Sequence, residues 1–265
     1  MKNQIRSLLS TFRADPYTKP KATAHRERAY DRVINQLGSS SAYRVLGGPY
    51  RGMKYFGEDE IPEVDRIPAP KMVGSFELEI HPWIEELVSR DFKMVVHIGL
   101  GEGYHAVGMA RRMTRARFVA FDTLIAARHA CTALAEQNDV RARIQLWGFC
   151  GPNSLKEIEL DGSLVFSDCG GAELTLLDPV VYPGLQRATI LAETHDAFDE
   201  RITSRLTTRF LDTHRVEPVT TTPRNPSNHS LPVPMDPESA RMALDERRKL
   251  SKSGKPKAWL MLTPR

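Results

Sequence analysis

The sequence predicts an α/β protein: a seven-stranded, mostly parallel sheet with helices on both faces, preceded by an N-terminal helical extension. Three observations lead there. From residue 94 onward, short apolar runs alternate with segments of helical period. Strands separated by helices build parallel sheets covered on both faces. The run Val95-Val96-His97-Ile98 ends in a turn with glycine at Gly99, Gly101 and Gly103, the kind of strand-to-helix junction where backbone can approach a ligand closely.

The elements follow in order. Residues 1–45 read as mostly helical and polar, broken at Asp15-Pro16 and Lys19-Pro20. A turn-rich segment, Gly47 to Met53, leads into an acidic loop with spaced prolines that runs to Pro70. Phe76, Leu78, Ile80, Trp83, Ile84, Leu87 and Val88 have the spacing of one amphipathic helix. Strand-like runs occupy 94–98, 117–121, 142–147, 163–167 and 188–193, with helices expected near 104–114, 124–138, 151–159, 172–178 and 199–211. The runs 214–221 and 257–262 are expected to close the sheet edge as an antiparallel pair. Between them lie a Pro/Asn/Ser-rich loop and a charged helix over 237–250, too polar to be core. Residues 1–90 are therefore read as an extension forming a substrate pocket or lid, and 91–265 as the ligand-binding domain.

Composition narrows the class. With 41% hydrophobic and 26% charged residues over 265 positions, the chain is an ordinary globular one. No apolar run approaches the roughly 20 residues needed to span a bilayer. The N-terminus lacks the apolar core of a signal peptide, and Cys131, Cys150 and Cys169 show no metal-knuckle or disulfide spacing. A cytoplasmic protein is expected. The net charge is +4. Basic residues gather at Lys19, Lys21, Arg26 and Arg28 and again at Arg247, Arg248, Lys249, Lys252, Lys255 and Lys257, with no aromatics interleaved in the second group. That pattern reads as solvated surface rather than a single-strand nucleic-acid platform. Nothing in the residues speaks to oligomeric state.

Ligands of open α/β sheets sit beyond the carboxyl ends of the strands, and chemistry-bearing residues gather there. A dinucleotide fingerprint would need glycine at 104, which is Tyr104. Asp122 follows the second run and can accept hydrogen bonds from ribose hydroxyls; with Thr123 it could equally cap the next helix. Trp147 and Gly148 follow the third run and offer a surface for an adenine-type ring or for core packing. Asp168 follows the fourth run, ahead of Gly170-Gly171. It could hold a ligand amino group, orient a hydroxyl or bind a metal. The fifth run ends in Glu193-Thr194-His195-Asp196, where His195 suits proton transfer near neutral pH. Asp168, Glu193 and Asp196 together could bind a divalent metal.

The glycine spacing resembles the first motif of class I S-adenosylmethionine (SAM) dependent methyltransferases. The resemblance is closest to their FkbM-type branch, over about residues 94–200. It is carried by Val96-His97-Ile98-Gly99-Leu100-Gly101-Glu102-Gly103-Tyr104, Ala120-Phe121-Asp122, Asp168-Cys169-Gly170-Gly171-Ala172-Glu173 and Leu191-Ala192-Glu193-Thr194-His195-Asp196. Upstream, the segments Gly48 to Met53 and Pro70 to Pro82 are similar to the lead-in of bacterial members. Two positions depart from the family pattern: His97 stands where an acid ends the first strand, and Gly170 replaces a glutamate.

The resemblance implies a Rossmann-like sheet and SAM as cofactor, bound by His97, Gly99, Gly101, Glu102, Gly103, Asp122, Thr123, Trp147, Gly148 and Asp168. It implies O-methylation of a small-molecule acceptor such as a sugar, glycoconjugate or natural-product hydroxyl. His195 would be general base, and Asp168 or Glu193 would orient it or the acceptor. If a divalent metal is present, Asp168, Glu193 and Asp196 are the ligands to test. The alternative is a degenerate SAM-binding domain with a structural or interaction role, for which His97 and Gly170 speak. A base-methylating nucleic-acid enzyme is not favoured, because no Asn/Asp-Pro-Pro-Tyr loop follows the fourth strand.

Overall fold

The computed structural model describes residues 24–57, 60–64, 67–151, 153–228, 231–246 and 256–265, with side chains left out of account at 24–28 and 228. The expected helix before residue 24 and the basic residues named above, except Lys257, fall outside the described backbone or side chains.

Seven strands form one sheet: β1 (Met94–Ile98), β2 (Arg117–Phe121), β3 (Ile144–Trp147), β4 (Leu164–Ser167), β5 (Thr189–Thr194), β6 (His214–Thr220) and β7 (Ala258–Pro264). Their spatial order is β3-β2-β1-β4-β5-β7-β6. The first five are parallel, while β7 runs antiparallel to both neighbours, β5 and β6. The strand order reverses between β1 and β4, which opens a crevice at their carboxyl ends. The last two strands pair antiparallel at the edge as expected, but the final strand inserts inside β6.

Alternation along the strands sorts side chains into two cores. Val95, Phe118, Phe166, Leu191 and Trp259 face one apolar cluster; Val96, Val119, Val165, Ile190 and Leu260 face the other. On the first face lie α3 (His81–Ser89), α4 (Tyr104–Arg112) and α5 (Ile125–Gln137), through Ile84, Leu87, Val107 and Leu134. The same cluster takes in Val33 and Leu37 of α1 (Ala24–Ser41) and Met72 of α2 (Pro68–Val73). On the second face lie α6 (Glu173–Leu176) and α7 (Ile202–Phe210), through Leu176, Leu206 and Phe210.

Four local expectations change. The helix expected from Phe76 is interrupted at Glu77, a left-handed residue (φ 54°), after which a 3-10 turn, Leu78–Ile80, precedes α3. The 151–159 helix is only a 3-10 turn, Ser154–Glu157, where Ser154 Oγ instead accepts from the Gly151 N–H. The 172–178 helix shrinks to the four residues of α6. The charged helix is described as α8 (Pro237–Leu244), capped by Asp236 through the N–H groups of Glu238 and Ser239. Far from being excluded from the core, it buries Ala240, Ala243 and Leu244 and packs on α1 and α2. Its polar residues cover one side only, so mean polarity concealed an apolar stripe.

Candidate functional site

The glycine turn is held from below by a carboxylate. Asp122 Oδ2 accepts from the N–H groups of Leu100 (2.9 Å) and Gly101 (3.2 Å), while Oδ1 accepts from the Leu124 N–H (2.8 Å) at the start of α5. The three glycines do different work. A Cβ on Gly99 would meet the backbone oxygen of Asp168 at 1.7 Å, and one on Gly103 would meet Cys131 Sγ at 2.7 Å. Both positions are therefore demanded by strand-to-strand and helix packing. Only Gly101 (φ 55°) has open space where a side chain would start.

A cavity of about 180 Å³ opens at the switch between β1 and β4. Gly99, Asp122 and Thr123 line one side, Phe149 and Cys150 another, and Asp168 and Gly170 the third. Trp147 and Gly148 are not among the lining residues; Trp147 is about half exposed and leans on Phe121 at a ring separation of 6.2 Å. The aromatic that reaches the cavity is Phe149.

Two residues expected at the cofactor are turned elsewhere. His97 lies in β1 between Ala120 and Phe166, stacked on the Phe166 ring at 4.5 Å. Burial, with the nearby His105, holds it down to about 3, so it is neutral. Strand alternation points position 97 into the core on the α4 side, and His97 is not among the residues lining the cavity. Glu102 is buried and grips the N-terminal layer: Lys71 Nζ lies 2.6 Å from its Oε1, and the Tyr55 hydroxyl donates at 3.1 Å. Nearby, Glu77 meets His105 Nε2 at 2.7 Å, and the Tyr50 hydroxyl lies 3.1 Å from His105 Nδ1.

Beyond β4 and β5 the structure brings Asp168, Glu193 and His195 together. Ser167 pairs with Ala192, so Asp168 and Glu193 leave adjacent strands side by side, and His195 follows Glu193 by one strand period. His195 Nε2 lies 3.1 Å from Glu193 Oε2 and 3.4 Å from Asp168 Oδ1. Its Nδ1 is 2.5 Å from Glu173 Oε1. Burial alone would lower the imidazole, but the carboxylates of Glu173 and Glu193 outweigh it and push it up to about 10. Carboxylates therefore face both ring nitrogens of His195, an arrangement that favours the protonated ring.

Asp168 is the cluster's opening to the cavity, with 42% of its side chain exposed. Its recessed surroundings, with the charge of Glu193, raise its carboxyl well above the usual range against the opposing pull of His195 and Lys257. Asp196 stays out of this group, because its Oδ1 accepts from the Thr203 N–H (2.9 Å) at the start of α7. Two members were not expected as site residues, although Glu173 ends the motif that follows the fourth strand. Glu173 reads as a helix-start acid, and Lys257, whose Nζ is 3.1 Å from Glu193 Oε2, comes from the segment leading into β7. Only the strand order places β7 against β5.

No family model and no curated protein matches the chain. Similar solved structures include an O-methyltransferase from Bacillus cereus in complex with SAH (11% identity over 97% of this chain and 99% of that one, TM-score 0.44). Another is the O-methyltransferase TomG from Streptomyces achromogenes, involved in tomaymycin synthesis, in complex with SAM (12%, 77% and 92%, 0.44). A third is an rRNA methylase from Streptococcus thermophilus (13%, 70% and 95%, 0.47). These structural neighbours are methyltransferases with differing acceptors. Among the described residues, no helix is long and apolar enough to cross a membrane.

Proposed function

We propose that this protein is a SAM-dependent methyltransferase of the FkbM-type branch that methylates a hydroxyl oxygen on a small molecule of sugar or natural-product type. The observation that carries the reading is a single cavity flanked by two strand-end carboxylates, Asp122 after β2 and Asp168 after β4. The residues fit SAM. Phe149 and Cys150 supply an apolar wall for the adenine, Asp122 at the cavity wall would accept from the ribose hydroxyls, and the turn beside them has open space at Gly101. SAM supplies a methyl group already activated by its sulfonium.

The chain's own residues then orient the acceptor and remove its proton. Asp168 is the group that faces the cavity, and its raised carboxyl makes it a stronger base than an ordinary aspartate. His195, held by Glu173, positions Asp168 and Glu193 as a cation rather than acting as the base. The extension over residues 1–90 would wall the acceptor pocket; through Lys71 and Glu77 it docks on Glu102 and His105 beside the turn. Three buried free thiols suit a reducing, cytoplasmic setting.

Calorimetry with SAM tests the cofactor. Asp122→Asn should weaken SAM binding by about 10- to 100-fold through the lost charged hydrogen bonds. Absence of SAM binding at millimolar concentration would sink the reading. With hydroxylated acceptors, Asp168→Asn should lower kcat by about 100-fold or more and leave SAM affinity unchanged. SAM binding without transfer to any acceptor would favour the degenerate-domain alternative.

A further inference from the structure

We propose that Lys71 is a positioning residue for SAM: from the N-terminal extension it fixes the far half of the glycine turn by gripping Glu102, so cofactor affinity depends on the docked extension. The inference rests on the SAM reading and gives Lys71 no contact with the ligand itself.

The two halves of the turn are held differently. The near half is fixed from within the sheet, where the Asp122 carboxylate accepts from the N–H groups of Leu100 and Gly101. In the far half, Gly101 (φ 55°) and Gly103 (φ 96°) flank Glu102, which leaves two points of easy backbone rotation. The Gly103 N–H donates back to the Leu100 oxygen at 3.0 Å, and the Val107 N–H donates to the Gly103 oxygen at 2.8 Å. These bonds tie down Gly103. The direction of Glu102 is set by its buried side chain, whose grip lies outside the sheet.

That grip comes from two separate stretches of the extension. Lys71 sits in α2, which carries Pro68 and Pro70 in its first turn and ends at the left-handed Gly74. A Cβ on Gly74 would meet the Gly47 oxygen at 2.1 Å, so the end of α2 is pinned to the segment before it. Lys71 is buried, with Nζ 2.6 Å from Glu102 Oε1 and 5.1 Å from the centre of the Phe76 ring. The Tyr55 hydroxyl donates to the same Glu102 oxygen at 3.1 Å. Tyr104, the first residue past the turn, donates its hydroxyl to the Lys71 backbone oxygen at 3.3 Å. Neither Lys71 nor Tyr55 lines the cavity, so their effect on a ligand passes through Glu102.

The chemistry of the pair gives the effect its sign. Removing one partner of a buried ion pair leaves the other as an uncompensated charge. Without Lys71 the Glu102 carboxylate swings toward water, and the flanking glycines offer little resistance. It then crowds the open side of the turn at Gly101 and adds negative charge beside a ligand that itself carries a carboxylate. By linkage the coupling is reciprocal, and SAM favours the docked extension by the same factor.

The test is calorimetry of SAM with the full-length protein and with Lys71→Met, at a temperature where far-UV circular dichroism shows both folded. The variant should bind SAM at least about tenfold more weakly. A role in folding alone would lower the unfolding midpoint and leave SAM affinity unchanged, and that result overturns the proposal. Should Lys71→Met not fold, the wild-type protein decides. Saturating SAM should slow amide hydrogen exchange over residues 68–76 as well as in the turn. Protection confined to the turn and the cavity overturns the proposal. A wild-type protein that takes no SAM fails the cofactor reading and this proposal together. One that takes SAM equally well as Lys71→Met fails this proposal alone.

Discussion

The two sides of the strand-order reversal are built on opposite principles. On the β1–β2 side, the site is backbone held by one side chain: glycine geometry, with the Asp122 carboxylate receiving three N–H groups. On the β4–β5 side, it is side chain held by side chain, with three carboxylates, an imidazolium and a lysine. The first side is shaped by sterics and tolerates few substitutions in its frame. The second is shaped by charge, and its chemistry changes whenever one partner changes. Cofactor binding suits the rigid side, and proton or metal chemistry suits the polar one.

The contrast can be broken most forcefully at Gly99. Ala there puts a methyl against the Asp168 backbone oxygen at a φ of 84° and should cost about 3–5 kcal/mol of stability, read by urea unfolding. If Gly101→Ala costs as much, the division of labour within the turn is wrong; its open surroundings predict about 1 kcal/mol, and the main loss should be in SAM affinity.

Next in size is Lys71→Met. It strands the Glu102 carboxylate in the core beneath the turn and should destabilise the fold by about 3 kcal/mol. An unchanged unfolding midpoint would show that the N-terminal layer does not support the turn.

On the ionic side, Glu173→Gln removes the carboxylate that raises His195. The imidazole, followed by NMR, should titrate at lower pH than it does in the wild-type protein. No change would remove Glu173 as the orienting group. An effect of another kind, seen only on acidification, concerns His97, whose folded value of about 3 lies below its ordinary 6.5. Between those values the unfolded chain binds a proton that the folded chain does not. Stability is therefore full above pH 6.5 and falls as pH drops toward 3, by up to about 1.4 kcal/mol per pH unit. His97→Phe should flatten that part of the stability–pH curve, and an unaltered slope between pH 6 and 4 would contradict the assignment.

The strands were legible because Val, Ile and Phe runs of strand length stand between turn residues, and all seven fall close to their expected positions. The short helices were less so: apolar spacing over 151–159 and 172–178 cannot reveal that a local hydrogen bond, such as Ser154 Oγ to Gly151, will end them within one turn. In the site, Asp122 and Asp168 stand at strand ends beside the cavity. His97 and Glu102 border or lie within the glycine motif and Trp147 ends a strand, yet none of them lines the cavity, because direction is set by strand parity and by what covers each face.

Sequence alone thus settled which residues stand at the carboxyl ends of the strands, because side-chain period and turn chemistry are local. It also put Glu193 and His195 together at the end of the fifth strand. Only the tertiary structure decided that Glu173 and Lys257 close on them, since the sheet order is not the chain order and β7 enters beside β5. It also decided that carboxylates from three elements pack on the two ring nitrogens of His195, which favours the protonated ring in a way its neighbours in sequence do not reveal.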